Sequence, residues 1–323
     1  MTDSRPNAPA ACQTIVDDFD VSCDASNEGA LASDLARILG RAATIAGWGP
    51  PAVSDGNPPS ASPHLPFGLP PEGMHYFPLA PGAIGHRAGL LCVNHEALPP
   101  DAAVGLRSTA SACRRAGDDG APDEIAARGV SIVEICRPRR SLEWQIARSR
   151  YTRRITDATP IEIFGPVRSS TWVRTKYSPD GTLVRGTRGN GAQCPTPWDT
   201  YLACEARWSG QFVNRSRSLP LEQSRYGIAT SAGDLRRELA GGPARERFDA
   251  TPIDGADATQ DYRNEPNGLG WVVEIDPFSP RSPPRKLTAL GRLAHRGARF
   301  APVTAGRPIV LYLGDDAQDE HLY

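Results

Sequence analysis

Lysine and long apolar runs are what this 323-residue sequence has least of. Only two of its 36 basic residues are lysines, Lys176 and Lys286, and the others are arginines. We interpret this bias as a codon preference, because acidic residues balance the basic ones to a formal net charge of -1. Because the net charge is close to zero, there is no electrostatic reason to expect nucleic acid or an anionic membrane as a partner.

Targeting signals are also missing from the sequence. It does not open with a basic segment followed by an apolar run, and no uncharged window approaches the roughly 20 residues that span a bilayer. We therefore expect a soluble chain without an export signal, cytoplasmic as given and with no membrane partner.

The usual cysteine and catalytic signatures are absent as well. The seven cysteines are odd in number and show no CxxC spacing, so a disulfide framework is not indicated. The fragment "CVNH" has a spacing that a metal could use, but no second pair completes a zinc set, which favours core packing. The sequence contains no phosphate-binding loop, nucleophile elbow, HExxH helix or EF-hand pattern.

The N-terminal part combines a helical pattern with a loop. Apolar residues recur at three- and four-residue spacing within residues 27–44 and predict one short helix. Residues 47–71 are dense in Pro, Gly and Ser and predict a loop. We therefore divide the chain into residues 1–60, an N-terminal helix and Pro/Gly/Ser-rich loop, and residues 61–323, the main domain.

The main domain consists of short apolar runs bounded by turn residues, which predicts an all-β fold. Long insertions such as residues 227–267 favour a β-propeller with long loops, although no internal repeat of roughly forty to fifty residues is visible. Asn190 and Gly191 suit a type I′ hairpin turn. Residues 307–323 predict a strand, an acidic turn and the start of a return strand. The predicted strands are "MHYFPL", "GLLCVNH", "GVSIVEIC", "EWQIA", "TWVRTKY", "TYLACEA", "GWVVEID" and "RPIVLYLG".

Acidic residues stand within or just after four of these strands: Glu96, Glu205, Glu274 and Asp315. Calcium takes about six to eight oxygen ligands, so carboxylates from several strands are what a calcium site needs. An Asp pair after a glycine is also a common β-turn, which is the alternative for Asp315. Glu205 and Glu274 lie in apolar strands and must be paired or ligated if they are buried.

Seven stretches, taken in order, resemble the PhoX family of secreted bacterial alkaline phosphatases. The resemblance implies a six-bladed β-propeller, incomplete here, whose central channel holds iron and calcium and hydrolyses phosphate monoesters. It also implies export to the periplasm, which is typical of the family. The stretches are "FGLPPEGMHYFPLAPG", "GLLCVNHE", "GVSIVEI", "SRYTRRITDATPIEIFGP", "GTRGNGAQCPTPWDTYLACEA", "NGLGWVVEIDPFSPRSPPRKLTALGRLAHRGA" and "IVLYLGDD".

The resemblance assigns the four acids to the metals. It implies Glu205, Glu274 and Asp315 as ligands and Glu96 as a ligand or channel acid, while no residue is assigned a separate catalytic role. The family's "NCAGG" supplies a thiolate to iron, and the aligned residue here is Gly191. Cys194, three residues on, is the candidate for a displaced thiolate ligand.

Three further positions depart from the family's pattern. "WGT" is replaced by "WDT", which introduces Asp199, and "CEE" is replaced by "CEA", which introduces Ala206. "GRFxHEG" is replaced by "GRLAHRG", which puts Arg296 in place of an acid.

These observations leave three hypotheses about function. The first is a PhoX-like, calcium- and iron-dependent hydrolase of phosphate monoesters. The second is a catalytically inactive PhoX-like propeller that serves as a binding or scaffolding module, and the third is a chain that does not fold independently.

Overall fold

The computed structural model of this chain describes residues 71–80, 87–95, 128–139, 144–147, 149–230, 246–317 and 320–323. These residues form thirteen β-strands, one short α-helix and five short 3-10 helices. The all-β prediction is confirmed. The helix predicted within residues 27–44, the whole segment 1–60 and Glu96 lie outside the described residues.

The first sheet contains the most apolar strands. Its order is β1-β2-β3-β4, β5 also pairs with β3, and all pairs are antiparallel. Every residue of β2 is buried, which explains its continuous apolar run, since both faces of the strand are covered. The strands are β1 Pro71–Pro78, β2 Ala88–His95, β3 Gly129–Cys136, β4 Gln145–Ile146 and β5 Arg153–Ile155.

The second sheet has six strands in the order β7-β6-β11-β10-β9-β8. β11 runs parallel to β6, and the other neighbours are antiparallel. The strands are β6 Pro160–Phe164, β7 Leu183–Arg185, β8 Asn190–Pro195, β9 Tyr201–Glu205, β10 Val272–Ile275 and β11 Arg285–Leu287.

The third sheet pairs β12 (His295–Phe300) with β13 (Leu311–Asp315) in antiparallel fashion. The predicted start of a return strand is present as an isolated antiparallel bridge between Gly314 and Leu322, where Leu313 and Tyr323 exchange backbone hydrogen bonds of 2.9 and 2.8 Å. The α-helix is α1, Leu221–Ser224. The 3-10 helices are Thr171–Val173, Ser209–Gln211, Glu246–Phe248, Glu265–Gly268 and Thr288–Leu290. None of the described helices is long and apolar enough to cross a membrane.

Strands β9 and β10 of the second sheet are covered on both faces. Successive side chains of a strand point to opposite faces, so β9 and β10 contribute to two different clusters. One face packs on the first sheet, and the other packs on the third sheet. The cluster with the first sheet includes Leu90, Ile132, Tyr201, Ala203 and Val273. The cluster with the third sheet includes Leu202, Cys204, Val272, Leu293 and Leu313.

All three sheets meet at β8. This strand pairs with β9 and also contacts β1 and β2 of the first sheet and β12 of the third. Sheets that pack face to face and converge on one inner strand are arranged as the blades of a propeller are. β8 is therefore the strand from which a channel-facing site would be built.

Two local predictions were wrong. "TWVRTKY" is not a strand, because it begins with the 3-10 helix Thr171–Val173 and leaves Trp172 61% exposed. Asn190 and Gly191 do not form a turn, because both lie in β8, where the register with β9 shifts between Asn190 and Ala192. The left-handed backbone lies earlier, at Gly186 (φ 70°) and Gly189 (φ 64°).

Candidate functional site

Glu205 ends β9 with a fully buried carboxylate. Its Oε1 accepts hydrogen bonds from Lys286 Nζ at 2.7 Å and from the backbone N–H of Arg188 at 3.3 Å. Its Oε2 accepts from the backbone N–H groups of Gly270 at 2.9 Å and Trp271 at 3.0 Å. Four donors thus engage both oxygens, so the prediction that a buried Glu205 must be paired or ligated is met by pairing.

Lys286 is the cation of this pair and is itself fully buried in β11. It also donates to the carbonyl oxygen of Gly268 at 2.7 Å. Burial lowers the pKa of Lys286, and the adjacent Glu205 opposes that shift. One of the chain's two lysines therefore forms a compact internal ion pair. The small ammonium group fits such a pair better than a planar guanidinium does.

Glu274 lies on the other face of the second sheet. It stands opposite Leu202 in the register of β10 and β9, whereas Glu205 is three residues from Leu202 and so points to the opposite face. Glu274 Oε1 accepts from Trp198 Nε1 at 2.8 Å and from Thr200 Oγ1 at 2.7 Å. The structure does not bring Glu205 and Glu274 together.

Asp315 ends β13, opposite His295 of β12, and its side chain is not exposed. Its Oδ1 accepts from the backbone N–H groups of Ala294 at 3.0 Å and Ala317 at 3.1 Å. Its Oδ2 is buried without a hydrogen bond and lies 3.9 Å from Arg225 Nη2. Oδ1 of Asp315 therefore holds the backbone just before β12 and just after β13. Its other oxygen, Oδ2, accepts no hydrogen bond.

Cys194 lies in β8 and is 3% exposed. It belongs to the apolar cluster with Leu202 and Leu313, and burial raises the pKa of its thiol. A thiol binds metal as the thiolate, and the described side chains around Cys194 form an apolar cluster, which works against the displaced-ligand role that the sequence suggests.

These positions decide how well the described residues fit calcium and iron. Among the residues that the structure describes, no group of three His, Cys, Asp or Glu side chains is placed to hold a metal ion. Glu205, Glu274 and Asp315 therefore do not form one shared site with the geometry that they have here. Glu96 lies outside the described residues, so the complete ligand set stays a prediction.

Sequence reasoning missed a buried ion-pair network beside the Glu205 pair. Asp157 is fully buried and pairs with both Arg188 and Arg247, the latter through Nη2 at 2.7 Å. Arg247 also lies 3.7 Å from Glu265, which accepts a 3.0 Å hydrogen bond from Arg185. These partners are far apart in sequence and in separate turns, so no local pattern indicated them.

Comparison with known proteins identifies the family of this chain. A family model described as "Alkaline phosphatase PhoX" matches residues 41–323. The chain belongs to the PhoX alkaline phosphatase family. It is also similar to the solved structure of Pseudomonas fluorescens PhoX in complex with vanadate, a transition state analogue, with 32% identity and a TM-score of 0.64. Comparison with curated proteins finds no match.

The match to the P. fluorescens PhoX structure covers 80% of this chain but 41% of that one. The chain therefore spans less than half the length of the PhoX structure that it matches. Within that span the predicted β-propeller fold of the PhoX family is confirmed. The number of blades stays a prediction.

Three of the positions that depart from the PhoX pattern lie together. A Cβ added to Gly191 would lie 2.3 Å from Arg296 Nη1 and 3.3 Å from the Cβ of Ala206. The fourth, Asp199, has the left-handed backbone angle φ 64°, which a glycine adopts at lower cost. The backbone at position 199 is thus left-handed, which explains why the family has glycine there and means that Asp199 is held in a less favourable conformation.

Proposed function

We propose that this chain carries PhoX-type chemistry, the hydrolysis of phosphate monoesters. The observation that carries the proposal is the family match over residues 41–323, supported by the likeness to a PhoX solved with a transition state analogue. Vanadate can adopt the five-coordinate geometry of a phosphoryl group during transfer, so its binding marks a phosphoryl-transfer site in that protein. The substrate class proposed for this chain is therefore a phosphate monoester.

Metal dependence is the finer part of the proposal. Calcium and iron are the metals that the resemblance implies, and such ions offset the charge that develops on a transferring phosphoryl group. Asp315 supports the proposal best, because its Oδ2 is buried and has no hydrogen bond. Glu205 supports it least, because Lys286 and three backbone N–H groups already occupy both oxygens.

A second candidate function is a PhoX-like domain that binds or scaffolds without hydrolysis. Two observations favour it: the internal pairing of Glu205 with Lys286, and the guanidinium of Arg296 against Gly191. Mutating a group that orients a metal ligand typically costs about 10–100-fold in metal affinity or activity, so several such changes together can silence a site.

The experiment is a phosphatase assay on the purified chain after incubation with calcium and iron, with metal content measured on the same sample. We expect metal-stimulated hydrolysis of p-nitrophenyl phosphate that vanadate inhibits. Glu274→Gln should lower the rate by at least about 10-fold. Glu162→Gln is the matched control, because Glu162 of β6 is 40% exposed and lies 3.8 Å from Arg285. A folded, metal-treated chain without turnover would reject the hydrolase and leave the binding module.

A further inference from the structure

The strongest unassigned feature is the contact between β8 and β12 at Gly191. This glycine lies where the β8 register shifts, between Asn190 and Ala192. A glycine within a strand often marks a place where another group approaches the backbone closely. Here that group is the end of the Arg296 side chain, since an added Cβ would lie 2.3 Å from Nη1 and 3.2 Å from Cζ.

Ala206 is the second neighbour of Gly191 at this position. It follows β9 directly, it is 6% exposed, and its Cβ lies 3.3 Å from the place of the missing Gly191 Cβ. Residues 191 and 206 thus contribute a hydrogen and a methyl group to a small space. The guanidinium of Arg296, with a side chain that is 32% exposed, extends into that space.

The charge at this position is fixed. A guanidinium carries a positive charge and offers only hydrogen-bond donors. Arg296 Nε lies 4.0 Å from Asp316 Oδ2, so one carboxylate already stands near the guanidinium. A metal cation in the same space would meet a like charge within contact distance, and two unit charges at such a distance repel strongly where solvent is partly excluded.

We infer that Arg296 is a built-in cation that closes this position to metal ions. Gly191, Ala206 and Arg296 act as one unit: the two smallest side chains make the room and the longest one fills it with positive charge. The inference applies to this position alone. Metals bound elsewhere would be unaffected, so the inference does not depend on whether the chain hydrolyses phosphate monoesters.

A double-mutant cycle on thermal unfolding tests the steric half of the inference. Gly191→Ala should lower the midpoint temperature by about 2–4 °C, because the new methyl must displace the guanidinium. In the Arg296→Ala background the same change should lower the midpoint by clearly less, since only the 3.3 Å approach to the Ala206 Cβ remains. Equal shifts in both backgrounds would overturn the inference.

Gly210 supplies the matched control for that cycle. It has no left-handed backbone angle, and a Cβ added there would meet no atom within 4 Å. Gly210→Ala should therefore shift the midpoint by the same amount with Arg296 or with Ala at position 296.

A calcium titration tests the charge half. Arg296→Glu would place a second carboxylate beside Asp316, and a divalent cation would relieve their repulsion. Millimolar calcium should therefore raise the unfolding midpoint of Arg296→Glu by more than it raises that of the wild type or of the neutral Arg296→Gln. An equal calcium response in all three proteins would overturn the role of Arg296 as the fixed cation. This readout is stability, so it is independent of any phosphatase activity.

Discussion

Glu205 shows what a single residue can and cannot reveal in sequence. A glutamate within the apolar strand "YLACE" signals that a buried charge needs a partner. That inference was correct, but the partner is Lys286, 81 residues along the chain, together with the N–H groups of Gly270 and Trp271. Sequence spacing cannot tell a lysine partner from a metal, because either one can neutralise a buried carboxylate.

The Glu205 pair leads to a stability prediction. Glu205→Gln keeps the shape of the side chain but leaves the ammonium of Lys286 buried without its counter-charge, so we expect a loss of about 3–5 kcal/mol in the free energy of unfolding. Urea denaturation at neutral pH measures it. Glu274→Gln is the control: its carboxylate is half-buried and accepts from neutral donors, so the loss should be about 1 kcal/mol. Equal losses at the two positions would contradict the structural role of Glu205.

Buried histidines predict an acid-sensitive fold. His95 is fully buried against Ser131, and burial together with the charge of Arg154 lowers its pKa well below 6.5. Below pH 6.5 the unfolded chain binds a proton that the folded chain does not, so stability is complete above that pH and is lost as pH falls through it. Burial also lowers the pKa of His295.

The measurement is urea denaturation at several values between about pH 7.5 and 5.5. The free energy of unfolding of the wild type should fall by more than about 1 kcal/mol across that range, since each pKa unit corresponds to about 1.4 kcal/mol. His95→Gln can keep a hydrogen bond to Ser131 and removes one titrating group, so its decrease should be smaller. An unchanged slope in His95→Gln would show that other groups cause the acid sensitivity.

At the scale of elements, apolar runs were the reliable signal. The long strands β2 and β3 were predicted almost residue for residue, because both of their faces are covered and their sequences are mostly apolar. The strands β7 and β11 have three residues each and carry charged side chains, so they are too short and too polar to show the alternation of apolar residues that predicts a strand. β8 reads "NGAQCP", and its first two residues, Asn190 and Gly191, were predicted as a turn because an Asn-Gly pair is typical of type I′ hairpins.

Turns that touch other elements should be the least tolerant of side chains. Gly186 and Gly227 have nearly the same left-handed angle, φ 70° and 67°. A Cβ at Gly186 would lie 2.2 Å from the carbonyl oxygen of Asp157, whereas one at Gly227 would meet no atom within 4 Å. The two glycines thus separate the cost of backbone strain from the cost of a steric clash.

We expect Gly227→Ala to lower the free energy of unfolding by about 1–2 kcal/mol, the cost of left-handed backbone alone. Gly186→Ala should lose roughly 1–3 kcal/mol more, because the backbone of Asp157 must also move. Chemical denaturation of the two variants side by side measures the difference. Equal losses would mean that the turn at Gly186 relaxes away from Asp157 without cost.

At the scale of the whole molecule, the fold could be predicted and the site could not. Family motifs in the right order indicate an architecture, since each motif marks a strand and the order of strands restricts how they can pair. A metal site depends on where side chains from different strands converge, and alternation along β9 and β10 sends Glu205 and Glu274 to opposite faces. The same motifs can therefore persist in a chain whose carboxylates are differently engaged.

The packing of the second sheet predicts that the three sheets unfold together. Ile132 belongs to the cluster between the first and second sheets, Leu313 to the cluster between the second and third, and both are buried. Ile132→Ala and Leu313→Ala should each cost about 2–5 kcal/mol and lower one common transition, seen alike by far-UV circular dichroism and tryptophan fluorescence. Leu221→Ala is the control, because Leu221 is 85% exposed and its loss should stay within about 0.5 kcal/mol. An early, separate transition in Leu313→Ala would show that the third sheet is only loosely attached, and β8 would then join two sheets instead of three.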